Sequence, residues 1–177
     1  MATAVIAFSQ LANEFEEEGL TPPNGERIAN ELAKTFSVQV DEVAVLKLDK
    51  TNLVFIFPAK LKNVGSIPLN NSSSVAARTA VTKRAEVINN FTQTKHATIF
   101  ESVPLSAKKT DPSLSGPAKV HSIQKLMTVP VISAAGVQGV IQVCRKGESA
   151  PNAGPDFTPV DLQKLVAIAT SLAKCFK

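Results

Sequence analysis

Apolar positions recur along this chain with two periods. In residues 2–18, Ala4, Phe8, Leu11 and Phe15 fall at spacings of four, three and four, which lays one apolar stripe along a helix. Glu14 and Glu16 to Glu18 crowd its end against the helix dipole, and Gly19 is placed to terminate it. Thr21 and Pro22 form an N-cap and first-turn pair for a second helix, whose apolar side carries Ile28, Leu32 and Phe36. Residues 43–48 and 53–57 read as an antiparallel hairpin around Lys50-Thr51-Asn52, stopped by Pro58. A shorter strand is expected over 64–69, a short helix over 75–82 and a brief edge strand over 86–89. Residues 90–100 are ambiguous, with a helical turn at 94–98 as one reading. Residues 102–119, punctuated by Pro104, Pro112 and Pro117, are a long loop, read as mobile rather than as a lid.

The last third carries the clearest pattern. Two apolar runs, LMTVPVI and GVQGVIQV, are hinged by Ser133-Ala134-Ala135-Gly136 and followed by Arg145-Lys146-Gly147. No charge occurs between Lys125 and Arg145, a length that would suit a membrane span. Pro130, Gly136, Gln138, Gly139 and Gln142 interrupt it, so the segment reads as a buried hairpin over 123–132 and 137–144. The final helix starts with Thr158 as cap, Pro159 at the first position and Asp161 at the third. Leu162, Leu165, Val166, Ala169, Leu172, Ala173 and Phe176 then recur at helical spacing.

Composition narrows the class. A chain of 177 residues, 44% hydrophobic and 19% charged, suits one globular domain and excludes a disordered or fibrous one. The net charge of +4 is scattered, so no nucleic-acid partner is expected. No membrane partner and no secretory signal are expected either. Cys144 and Cys175 form no CxxC pair, and with two histidines no zinc or other metal set is expected. A reducing, cytoplasmic setting fits best. There is no tryptophan or tyrosine, so any ligand must take its aromatic contacts from Phe or His. No paired carboxylates, Gly-rich phosphate loop or nucleophile with a base can be read, and no enzymatic activity is expected.

Helix, helix, hairpin, a variable middle, hairpin and helix make an α/β (α+β) layout with an antiparallel sheet. Three stretches in this order, VDEVAVLKLD (40–49), GSIPLNNSSSVAARTAVTKRAEVINN (65–90) and TVPVISAAGVQGVIQVCRKG (128–147), resemble the GAF domains, a family of small-molecule-binding sensory domains. The resemblance runs from about Gly25 to Phe176. It implies a sheet of about six strands with helices on both faces. The N- and C-terminal helices would pack together on one face, and shorter helices and loops would enclose a pocket on the other. It divides the chain into an N-terminal helix and linker over 1–24, a candidate dimerisation helix, and a GAF-like domain over 25–177.

Cyclic-nucleotide-binding members of the family carry Asn-Lys, a Phe, three residues and Asp-Glu. Here Lys146, Phe157 and Asp161 match, whereas Arg145 and Leu162 depart, which speaks against that ligand. By the resemblance, Lys146, Phe157 and Asp161 brace the domain, with a Lys146–Asp161 bridge pinning the last helix to the sheet. An exposed bridge of that kind is worth about 0.2–1 kcal/mol. The alternative is that Asp161 only caps its helix. The pocket implied by the family would draw on Ser73, Ser74, Asn89, Asn90, Phe91, His96, Phe100 and His121. Each has a plainer reading as a helix cap, a turn, core or a solvated residue. Neither cysteine is placed like a bilin anchor, and no cofactor is named. The expected role is a sensory module that binds an unidentified small molecule and signals as a homodimer through its terminal helices, with Phe8, Leu11 and Phe15 in a bundle. The alternatives are a structural dimerisation module without ligand and a GAF-type methionine sulfoxide reductase.

Overall fold

Period-2 alternation along the two longest strands divides the molecule into two cores. In the computed structural model, which describes residues 2–93 and 121–177, these strands are β5 (Ile123–Ser133) and β6 (Gly136–Lys146). Met127, Val129, Val131, Ile141 and Val143 face one side, whereas Leu126, Val140 and Cys144 face the other. Both strands are longer than the apolar runs alone predict. Their pairing extends through Ser133↔Gly136 at the turn and Ile123↔Lys146 at the far end. Gly136 has φ +109, a region glycine enters without steric cost.

The remaining strands are β1 (Val43–Asp49), β2 (Asn52–Phe57), β3 (Ile67–Pro68) and β4 (Glu86–Ile88). They complete a six-stranded antiparallel sheet in the order β3-β2-β1-β6-β5-β4. On its outer face lie α1 (Ala2–Glu14), α2 (Pro22–Phe36) and α5 (Pro159–Leu172). On its inner face lie α3 (Val75–Thr82) and residues of the 3-10 turns Ala59–Asn63 and Phe91–Gln93. A further short helix, α4 (Ala150–Ala153), sits in the loop before α5.

The helix caps follow their sequence signals. The Thr21 hydroxyl accepts from the Asn24 N–H, and α2 ends with Ser37 in the left-handed region. Ser74 caps α3 by accepting from the Ala77 N–H. Helix α1 ends at Glu14, short of the expected residue 18. Glu16 to Glu18 sit in a turn instead, closed by Gly19 donating to the Phe15 carbonyl, because carboxylates oppose the dipole at a helix C-terminus. Val166, placed on the buried stripe of the last helix by its spacing, is exposed. Leu165, Ile168, Ala169 and Leu172 fill the buried side and leave it outside.

The terminal helices pack on one another within this chain, and their C-terminal ends meet. Lys174 beyond α5 reaches Asn13 and Glu16 beside the end of α1. Phe8, Leu11 and Phe15 are thereby buried in the outer core of the single chain. The stripe expected to form a dimer bundle is already covered, and α1 shares one core with the residues after 24. The expected turn at 94–98 and the loop over 102–119 lie outside the described residues.

The backbone at Gly139 leaves no room for a side chain. A Cβ on Gly139 would stand 2.2 Å from the Leu46 carbonyl oxygen and 2.8 Å from the Phe176 ring. The strand backbone therefore lets both β1 and the C-terminal aromatic close in. Gly139→Ala is expected to destabilise the protein by about 3 kcal/mol through overpacking, measured as a lowered urea midpoint, whereas a loss under ~0.5 kcal/mol would mean the Phe176 contact is not tight.

Candidate functional site

A row of three polar side chains crosses the mostly apolar inner face. Thr128 and Gln142 stand opposite each other on β5 and β6. Thr79 descends onto them from α3, with its hydroxyl 2.8 Å from that of Thr128. Thr79 also donates to the Val75 carbonyl at 2.8 Å, and the Gln142 amide donates to the Thr128 oxygen at 3.3 Å. A hydroxyl has one proton to give. Since Thr79 spends its own on Val75, Thr128 is the donor between them. The result is a one-way chain of hydrogen bonds from Gln142 through Thr128 and Thr79 to Val75. Both threonines are 0% exposed, where an unpartnered hydroxyl would cost about 1–3 kcal/mol. The other inward residues of α3, among them Ala76, Ala77 and Ala80, are small and buried, so the helix sits close over the sheet. Thr128 and Gln142 were visible in the sequence only as polar breaks in two apolar runs, and Thr79 as one residue of a short helix.

The residues expected at the pocket do not converge. Ser73 is exposed and Ser74 is the α3 cap. The Asn89 side chain is used at both ends on the backbone of Phe157, donating to its carbonyl at 3.0 Å and accepting from its N–H at 2.9 Å. Asn90 is exposed, Phe91 is buried in the inner core, and His121 is half-buried ahead of β5. His96 and Phe100 lie outside the described residues.

The expected brace is built differently. Asp161 accepts from the Thr158 N–H at 2.9 Å, and its own N–H donates to the Thr158 hydroxyl at 3.1 Å, so both bonds of the capping box are made. No ion pair joins it to Lys146. The reason is alternation along β6. Lys146 shares the inner side with Cys144, and its ammonium donates to the Asp41 carbonyl at 3.3 Å. Arg145 points the other way, toward α5. Its guanidinium covers the Phe157 ring at 4.7 Å and donates to the carbonyls of Phe36 and Ser37 at 3.2 and 3.1 Å. Those are the acceptors that the end of α2 leaves without helical partners. Buried Lys125 adds a second tie, donating to the Gly154 carbonyl at 2.6 Å and pairing with Asp156 at 2.8 Å. Arg145, one of the two positions that depart from the nucleotide-binding pattern, thus braces the domain together with Phe157, one of those that match it.

Glu42 is one of two buried acids of this region, next to Asp41. Its carboxylate accepts from the backbone N–H groups of Gln39 at 2.8 Å and Lys146 at 2.5 Å. Burial nevertheless holds it above its ordinary value of 4.5, against those bonds and the charges of Arg145 and Lys146. The two cysteines are both buried and lie in different cores, Cys144 on the inner face and Cys175 on the outer. Burial pushes the Cys175 thiol up to about 11. Among the described residues no group of three His, Cys, Asp or Glu side chains is arranged to hold a metal, and no helix is long and apolar enough to cross a membrane.

This arrangement of sheet, flanking helices and inner face recurs in solved structures. The GAF domain of an Acinetobacter phosphoenolpyruvate-protein phosphotransferase matches with TM-score 0.62 at 14% identity, over 94% of this chain and 90% of that one. The fold is that of a GAF domain. A methyl-accepting chemotaxis protein matches the GAF-like chain with TM-score 0.56 at 13% identity, over 93% of each chain. The free methionine-R-sulfoxide reductase of Neisseria meningitidis, in complex with its substrate, matches with TM-score 0.55 at 15% identity, over 97% of this chain and 89% of that one. No family model and no curated protein matches the chain by sequence.

Glu42 sets a pH dependence. An acid whose value is higher folded than unfolded binds more protons in the native state. Its contribution to stability therefore falls as pH rises from the ordinary carboxyl value through the raised one. In urea titrations, the stability of the native protein relative to Glu42→Gln is expected to decline from pH 4.5 toward neutrality. A difference that stays flat or rises over that window would show that Glu42 is not held above its ordinary value.

Proposed function

We propose that this chain is a sensory domain of GAF type that binds a small polar molecule between α3 and the inner face of the sheet. The observation that carries the reading is the buried polar row of Thr79, Thr128 and Gln142 on a face that is mostly apolar. Apolar surroundings with a few convergent hydrogen-bonding groups have the composition that small-molecule sites use, and α3 must lift from the sheet to open one. The names of the similar folds, a chemotaxis protein and an enzyme seen with its substrate, support the same class. A cytoplasmic setting remains part of the proposal.

The signal leaves through the terminal helices. Their exposed sides carry Ile6 at 58%, Val160 at 56% and Val166 at 41% exposure. Helix α1 has no charge before Glu14, and none lies between Lys164 and Lys174 on the last helix. Depletion of charge marks interface cores, so the pairing surface of a homodimer is this outer side rather than the buried Phe8 stripe. The reductase reading is disfavoured because attack by a thiol needs an accessible thiolate, and both sulfurs are buried. The reading as a ligand-free structural module draws on the closeness of α3 to the sheet and on the internal satisfaction of the polar row.

Two measurements separate these readings. Mass spectrometry of material released from the purified protein is expected to find a small molecule near one per chain, lost in Gln142→Leu while the fold is kept. Protein that emerges empty and is stabilised by no member of a metabolite library would favour the structural module. Native mass spectrometry at micromolar concentration is expected to give twice the chain mass, reverting to one in Val166→Glu. A monomer throughout would remove the dimer from the proposal.

A further inference from the structure

Strand β4 is only three residues long, yet it lies between two anchor points of different kinds. On its inner side it is tied to α3. Arg78 donates to both carboxylate oxygens of Glu86, at 3.1 and 3.0 Å, a bidentate geometry that fixes orientation as well as distance. Glu86 in turn pairs in register with Thr128, the residue whose hydroxyl donates to Thr79 of α3. Helix α3 is thus coupled to β4 twice, once directly and once through β5. On its outer side, the residue after the strand is Asn89, whose amide exchanges two hydrogen bonds with the Phe157 backbone at 3.0 and 2.9 Å. Phe157 precedes Thr158, the cap of α5, and its buried ring lies under Arg145, which holds the end of α2.

We infer that Asn89 is a positioning residue that transmits displacement of α3 on the inner face to the first turn of α5 on the outer face. A primary amide bonded at both ends to one backbone unit has a single orientation and cannot swing to follow one partner only. When α3 moves off the sheet to admit a molecule, β4 moves with it through Arg78–Glu86, and Asn89 carries Phe157 and the α5 cap along. The coupling runs through contiguous hydrogen bonds and one ion pair, and the displaced setting of α3, which such a claim needs beside the seated one, is part of the inference. This inference rests on the proposed binding between α3 and the sheet for its purpose, but its mechanics can be measured without any ligand.

The test is a double-mutant cycle read by amide hydrogen exchange in the intact chain. Thr79→Val cuts the α3 tether, and Asn89→Ala cuts the clamp. The readout is exchange of the Leu162 amide, in the first turn of α5, divided by that of Leu172 at the helix end, which cancels any change in global stability. Thr79→Val is expected to raise this ratio at least about fivefold, the scale of one hydrogen bond. In the Asn89→Ala background it should add nothing. Should Asn89→Ala fail to fold, Asn89→Asp, which still accepts from the Phe157 N–H but cannot donate, serves in the same cycle and should blunt the effect. The inference is overturned if Thr79→Val leaves the ratio unmoved, or raises it equally with and without the native Asn89. An empty binding face would sink the proposed function and leave this coupling standing, whereas a bound ligand with uncoupled rates would sink only the coupling.

Discussion

The pairing of β5 with β6 is the constraint on which the rest of the molecule depends. Two strands of eleven residues each, buried on both faces for most of their length, generate two cores at once. Because neighbouring residues on a strand face opposite ways, Met127, Val129 and Val131 demand the helical layer of α1, α2 and α5, while Leu126, Val140 and Cys144 demand α3. Shifting the register by one residue would exchange the two sets. The absence of a side chain at Gly139 lets β1 and the C-terminal aromatic approach this hairpin closely, which fixes where the sheet continues and where the chain comes to rest.

The same alternation decides the chemistry at the end of β6. Arg145 and Lys146 are adjacent and carry the same charge, yet they serve different cores. Arg145 lies over Phe157 and satisfies the last carbonyls of α2, while Lys146 and the buried Glu42 tie the start of β1 to the inner side. A brace between the last helix and the sheet exists, and it is made of an arginine on an aromatic ring and an asparagine on a backbone, not of a lysine and an aspartate. Neither contact depends on an exposed ion pair, the weakest kind of tie.

The inner face combines two properties that pull apart energetically. Its polar row must be fully bonded to be tolerated in an apolar setting, and α3 supplies the missing partner through Thr79. A helix with several small inward residues gives up little packing area when it moves, compared with one that buries large side chains. The face is therefore closed by a helix whose strongest specific ties are a few hydrogen bonds and one ion pair. That is the arrangement expected where a domain has to open locally without unfolding.

Element type and order were legible in the sequence, because period, caps and turn residues are local properties. The Thr158–Asp161 capping box, Thr21 before Pro22 and the alternating hairpin each announced their structure. The end of α1 was less legible: a helix is expected to residue 18, but it stops at Glu14, where glutamates oppose its dipole. The candidate site was not legible. Thr79, Thr128 and Gln142 are separated by 49 and 14 residues, and only strand register and the seating of α3 bring them together. Asn89 reads as a turn residue until Phe157, 68 positions away, is placed beside it. Likewise a stripe such as Phe8, Leu11 and Phe15 announces burial but not what buries it; here α5 of the same chain does so. Local chemistry chose the elements, and the meeting of residues distant in sequence, which only the packed sheet and helices specify, chose the site.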